Sequence, residues 1–137
     1  MLSSRIQFRI PWGDCDPAGI VYFPRYFAMF DNATIAMLET LGLKKAALLE
    51  KYEIAGFPVV HVEADFKGSC TFSDDVTIES TVEKCGRASF DVRHRLLKED
   101  GTLAVEFRET RVWVARDGKG GIKAVPIPPE IKARFEA

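Results

Sequence analysis

Two aspartates, Asp14 and Asp16, stand two apart in the stretch Trp12-Gly13-Asp14-Cys15-Asp16-Pro17-Ala18-Gly19-Ile20-Val21. Pro17 pushes Asp16 out of the helical region, and Gly19 permits a positive φ just beyond it. Pro24 fits the first position of a helix, where its missing N–H costs nothing. An acidic side chain is thereby held on a stiff turn near a helix N-terminus, whose unpaired N–H groups point outward. A carboxylate and oriented N–H donors aimed at one spot suit acyl chemistry. The carboxylate attacks a carbonyl or activates water, and the donors polarise that carbonyl. The same residues also serve as an ordinary turn and cap, since Asp-Pro and Ala-Gly are turn pairs and Asp caps helices. On spacing alone that second use is the commoner one.

The elements around this turn follow from periodicity. Ser4 to Pro11 alternates, with Ile6, Phe8 and Ile10 opposite Arg5, Gln7 and Arg9, as a half-buried strand does. From Pro24 to Leu41, the residues Phe23, Phe27, Phe30, Thr34, Met37, Leu38 and Leu41 recur at steps of three and four. Flanking alanines and few charges predict a helix buried over most of its circumference, ended by Gly42. Asp31 interrupts its apolar face, because it lies four after Phe27 and three before Thr34. A carboxylate there needs a partner. The partner is a local backbone or helix neighbour, or the polar atom of a ligand on a pocket floor.

A short helix is expected over Lys44–Tyr52, broken by Gly56-Phe57-Pro58. Strands follow at Val59–Lys67, Val76–Glu83, Ser89–Leu97, Thr102–Ala115 and Ile122–Val125, then a last helical turn at Glu130–Phe135. One sheet wrapping a single apolar helix gives an α+β fold, in one domain covering residues 1–137.

Composition narrows the function. The chain has 137 residues, 47% hydrophobic and 28% charged, with a formal net charge of -1. That suits a globular domain and gives no reason to expect nucleic acid as a partner. The start Met1-Leu2-Ser3-Ser4-Arg5 lacks a signal-peptide core, and no apolar run is long enough for a bilayer. A cytoplasmic protein with no membrane partner is expected. Cys15, Cys70 and Cys85 have no zinc or disulfide spacing, and the carboxylates beside Cys15 disfavour its thiolate. His61 and His94 suggest no metal site and are read as ordinary hydrogen-bonding strand residues. The Lys44-Lys45 and Arg93, Arg95 pairs read as solvated faces. No phosphate loop and no Gly-x-Ser-x-Gly elbow occurs.

Gly13 to Val21, followed by Tyr22-Phe23-Pro24-Arg25-Tyr26, closely resembles the active-site stretch of the 4-hydroxybenzoyl-CoA thioesterase family. The resemblance covers nearly the whole chain. It recurs weakly at Gly56–Phe66, at Ser89-Phe90 with Arg93-His94, and in the last strand. It implies the hotdog fold, an antiparallel sheet around one long helix, and acyl-CoA thioester hydrolysis without metal or cofactor. It implies Asp16 as nucleophile or base, and the Phe23 backbone N–H as the donor to the thioester oxygen. Tyr22 then lines the acyl pocket, Asp31 approaches a substrate phenol, and Arg87, Ser89 and Lys123 meet the CoA phosphates. Gly86 and Ala88 flank Arg87 where the family prototype has a denser basic cluster. Ala18-Gly19, with no His soon after the tyrosine, departs from a cell-envelope branch and favours the aromatic-acyl one.

On this resemblance Trp12, Tyr22, Phe27 and Phe57 supply flat apolar walls, and 4-hydroxybenzoyl-CoA or a close hydroxy-aryl analogue is the expected substrate. Benzoyl or medium-chain esters come next; a hotdog hydratase or dehydratase and a non-catalytic acyl-CoA binding module are the rivals. An open sheet edge predicts a homo-oligomer, and family precedent a dimer of dimers.

Overall fold

A computed structural model describes all residues, Met1–Ala137. Five strands form one antiparallel sheet in the order β1-β3-β4-β5-β2: β1 Ser3–Arg9, β2 Val59–Phe66, β3 Asp75–Cys85, β4 Ser89–Lys98 and β5 Leu103–Val112. A two-stranded ribbon joins β6 Val114–Arg116 to β7 Ile122–Ala124. The helices are α1 Phe23–Glu39, α2 Lys45–Lys51 and α3 Pro129–Glu136.

Strict alternation turns one face of the sheet onto α1. Val76, Ile78, Ser80 and Val82 of β3 are buried, as are Phe90, Val92, His94 and Leu96 of β4. Helix α1 answers with Tyr26, Met29, Phe30, Ala33, Thr34, Met37 and Leu38. Phe30 stacks on Phe107 with ring centroids 4.5 Å apart, at the centre of one core cluster. A second cluster surrounds Trp113, with Met37, Leu38, Phe57, Phe90 and Phe135. Each such fully buried ring stabilises the fold by roughly 2–3 kcal/mol. The opposite face of the sheet carries ion pairs, Arg9–Asp75 at 2.9 Å and Arg93–Glu106 at 2.9 Å among them. The Arg93, Arg95 face, expected to be solvated, is half-buried, with Arg95 pairing with Glu79.

Several expectations need correction. Helix α1 starts at Phe23, one residue before Pro24. It is buried on one face only, and Phe23 and Phe27 are 56% and 38% exposed. The single strand expected over Thr102–Ala115 breaks at Trp113, where the chain leaves the sheet for the β6–β7 ribbon. Strand β2 is at the edge of the sheet and exposed on both faces. A bulge between Val59 and His61 shifts its register there.

Candidate active site

The Asp16 turn is built from its own backbone. Asp16 N–H donates to Ile20 C=O at 2.9 Å, and Gly19 N–H to Asp16 C=O at 2.9 Å. Gly19 takes the positive φ its position requires, 84°. The Asp16 carboxylate accepts the Ala18 N–H through Oδ1 at 2.8 Å, the hydrogen bond an Asx turn makes; Oδ2 takes no bond from the chain. A Cys15–Val21 bridge and Tyr22 N–H to Asp14 C=O, 2.8 Å, tie the turn to the start of α1. There the helix has no side-chain cap, and Phe23 N–H has no partner in the chain. A carboxylate with a free oxygen and an unpaired helix N–H therefore sit on adjoining segments. Burial, with the charges of Asp14, Asp16 and Asp74, pushes the Cys15 thiol above its ordinary value, so this cysteine is a poor nucleophile.

Beyond Phe23 an open stripe runs along α1 beside the edge strand. Phe23 meets Phe66 of β2, with centroids 6.3 Å apart, and Phe27 meets Phe107 at 5.2 Å. Asp31 follows one turn later, opposite the Val59 end of β2, where Arg111 pairs with Val59. Val60, Val62 and Phe66 remain exposed along this edge. Asp31 does not share a buried face, as its spacing suggested. Its side chain is 51% exposed, and its partner is neither local nor backbone but Arg111, with Nη2 2.8 Å from Oδ1.

Arg111 heads a buried polar cluster that the pattern reading missed. Its guanidinium donates to Glu109 through Nε, 2.8 Å, and Nη2, 3.1 Å, and through Nη1 to the Phe57 carbonyl at 3.2 Å. Glu109 also accepts the Thr34 hydroxyl and approaches His94 Nε2 at 3.3 Å, while Ser80 meets His94 Nδ1 at 2.7 Å. Burial by itself would raise the Glu109 carboxyl. The hydrogen bonds from His94 and Arg111, the Arg111 charge and the Thr34 hydroxyl outweigh it and hold Glu109 below its ordinary value. A signal was available: the buried series Val105, Phe107, Glu109, Arg111, Trp113 keeps strict alternation, so two charges fall on the core face.

The other expected residues divide. Tyr22 is exposed beside Phe23, with centroids 5.8 Å apart. Trp12 packs edge-on against Phe72 instead of joining Tyr22 and Phe27. Phe57 is only 4% exposed, stacked on Trp113 and under the Arg111 guanidinium; it is no wall of the open stripe, because the core takes its ring. Arg87 and Ser89 flank a loop that bonds to Trp113 and Ile127, and Lys123 lies on β7 opposite Ala115. All three sit at the C-terminal end of α1, about 25 Å along a 17-residue helix from the Asp16 turn. Within one chain they do not meet Asp16. His61 bonds only Glu63 on the outer face. No helix is long and apolar enough to cross a membrane.

One long helix wrapped by an antiparallel sheet, with its N-terminus at an aspartate turn, is the hotdog fold. Residues 10–135 match the thioesterase-like superfamily, and the chain belongs to that family. The 4-hydroxybenzoyl-CoA thioesterase of Pseudomonas sp. (strain CBS-3) is 34% identical over 134 residues, 93% of this chain and 94% of that protein. The solved structure of that Pseudomonas enzyme has a TM-score of 0.90 at 31% identity, covering 98% of this chain and 99% of that one. A gentisyl-coenzyme A thioesterase has a TM-score of 0.82 at 31% identity, covering 94% and 99%.

Proposed function

We infer that this chain, an acyl-CoA thioesterase, acts on aromatic esters, with 4-hydroxybenzoyl-CoA or a close hydroxy-aryl analogue as substrate. The observation that carries this reading is a free Asp16 oxygen on a turn whose chain leads directly into the unpaired Phe23 N–H of α1. The Phe23 N–H and the positive end of α1 polarise the thioester carbonyl and stabilise charge developing on its oxygen. Asp16 attacks the carbonyl carbon to give an anhydride, or takes a proton from an attacking water. In either route the C–S bond breaks with its electron pair leaving on the CoA sulfur, and in the first a water then cleaves the anhydride to release the acid and restore the Asp16 carboxylate. A thiolate leaves readily, so no strong general acid is needed.

A second copy of the chain completes the site in this reading. An exposed apolar edge strand beside an exposed apolar helix stripe calls for a partner. Antiparallel pairing of β2 with a second β2 turns the partner's α1 end for end. The Arg87, Ser89 and Lys123 end of one chain then approaches the Asp16 end of the other, where CoA phosphates can meet it. Phe23 and Asp31 are eight residues apart on one helix, about 12 Å. In this reading the carboxylate that meets the ring at one Asp16 comes from the other chain, whose α1 runs antiparallel beside it. Two such dimers form a tetramer, and the enzyme works in the cytoplasm, where CoA esters are found.

The test is thiol release from 4-hydroxybenzoyl-, benzoyl-, phenylacetyl- and hexanoyl-CoA by wild type and Asp16→Asn. The expected result is fastest release from an aromatic ester and a loss of roughly a hundredfold or more in the variant. Full activity in Asp16→Asn removes that residue from the chemistry. Binding of esters without release of thiol moves the protein to the binding-module reading.

A further inference from the structure

We infer that Arg111 is a positioning residue for substrate choice: clamped by Glu109, it fixes one oxygen of Asp31 and leaves the other as an acceptor for acyl groups whose far end carries a hydrogen-bond donor. The inference rests on the reading of Asp31 as the residue that meets the acyl ring.

The geometry separates the two carboxylates that share Arg111. Glu109 is buried and engages the guanidinium through both oxygens, Nε to Oε1 at 2.8 Å and Nη2 to Oε2 at 3.1 Å. Such a forked pair fixes the plane of the guanidinium. The third nitrogen, Nη1, is anchored on the Phe57 carbonyl. Glu109 is itself held from two other elements, by Thr34 of α1 and His94 of β4, and Ser80 of β3 steadies the far side of His94. Arg111 thus has no freedom to follow Asp31; Asp31 must come to it. The single contact, Nη2 to Oδ1 at 2.8 Å, orients the Asp31 carboxylate and leaves Oδ2 without a partner in the chain.

The charges decide what Oδ2 accepts. One guanidinium faces two carboxylates, so the cluster keeps a net negative charge at its exposed end. A neutral O–H or N–H donor suits that end, and an anionic group or a bare ether oxygen does not. A 4-hydroxyl or 4-amino substituent fits; a 4-methoxy or 4-carboxyl substituent is disfavoured.

The experiment measures kcat/KM for 4-hydroxybenzoyl-CoA relative to benzoyl- and 4-methoxybenzoyl-CoA in wild type, Asp31→Asn and Arg111→Lys. Lysine keeps the buried positive charge beside Glu109 but has no fork to hold two carboxylates. The expected result is a fall of roughly tenfold in the hydroxyl preference of Arg111→Lys, with KM for the hydroxy ester rising more than kcat falls. A Glu109→Gln/Arg111→Met double variant, which removes both charges together, is the second test if lysine does not fold there, and its preference falls likewise. A fall in preference for Asp31→Asn without one for the folded Arg111 variant overturns the inference and leaves the Asp31 reading standing. No fall in either overturns both. A proportional loss on all three esters in the Arg111 variant makes its role structural and overturns the inference.

Discussion

The Asp16 turn and the Arg111 cluster each hold a carboxylate beside the same helix, by opposite means. The Asp16 turn uses bonds among residues within a few positions of each other, and its side chains are half-buried to exposed. The Arg111 cluster gathers Thr34, Ser80, His94, Glu109 and Arg111 from α1 and three strands and buries them. A locally held carboxylate leaves its surroundings free to change with substrate. A carboxylate held through a buried ion pair is tied to the stability of the whole sheet.

The sharpest way to break this contrast is to remove one carboxylate from each region and follow folding as well as rate. Glu109→Ala leaves the half-exposed Asp31 as the only carboxylate on the Arg111 guanidinium and removes Glu109 from Thr34 and His94, which keep their 3.0 Å contact with each other. Losing one member of a buried pair costs on the order of 3–5 kcal/mol, a large share of the roughly 5–15 kcal/mol that holds a domain together. Asp16→Asn keeps an oxygen for the Ala18 N–H, so its unfolding midpoint in urea is expected to stay close to wild type. Denaturant unfolding of the two variants side by side reads the contrast directly. Equal losses of stability would erase the distinction between a turn built for chemistry and a cluster built into the core.

The same contrast explains what could be read from the chain alone. The Asp16 turn is legible because Pro17, Gly19 and Pro24 act on their immediate neighbours, and such effects survive without knowledge of the fold. The long helix and the alternating strands are legible for the same reason. Asp31 was correctly singled out as a carboxylate in need of a partner, but the partner lies 80 residues away on β5. The pairing of β5 between β4 and β2 places Arg111 there, and that pairing joins β2 to a strand far along the chain, which no local pattern states. The exposure of Phe23 and Phe27 escaped notice likewise. An apolar residue left open on the surface of the chain and one that faces the core have the same periodicity.

Acid offers a gentler probe of the same difference. Glu109 faces Arg111 on its own strand, His94 from β4 and Thr34 from α1, and Asp31 lies on the far side of Arg111. Its carboxyl is held below its ordinary 4.5. A depressed carboxylate contributes its full stability above the unfolded value and loses it as pH falls through the folded one. Wild type is therefore expected to exceed Glu109→Gln in Tm at neutral pH, and the gap to narrow as pH falls below 4.5. A gap that stays constant into acid would mean that Glu109 acts through packing and not through its charge.

The smallest expected effect belongs to the turn. Gly19 has a φ of 84°, and a Cβ added there meets nothing within 4 Å. Gly19→Ala therefore tests backbone conformation without a clash. An L-residue in the left-handed region costs about 1–2 kcal/mol, and this site is open enough for the backbone to relax away part of that. Relaxation has a consequence, because the Gly19 N–H bonds the Asp16 carbonyl and Ile20 accepts the Asp16 N–H. Rotating Gly19 out of its φ moves Asp16 relative to the Phe23 N–H. Small displacements of a reacting group can cost up to about a hundredfold in rate. The variant is expected to lose a few degrees in Tm at most, while its kcat for thiol release falls more than that stability loss explains. The preference for hydroxybenzoyl over benzoyl esters, which we assign to the Arg111 cluster, should stay as it was. A shift in that preference would mean that the two regions are coupled through α1 and that the division between them is not real.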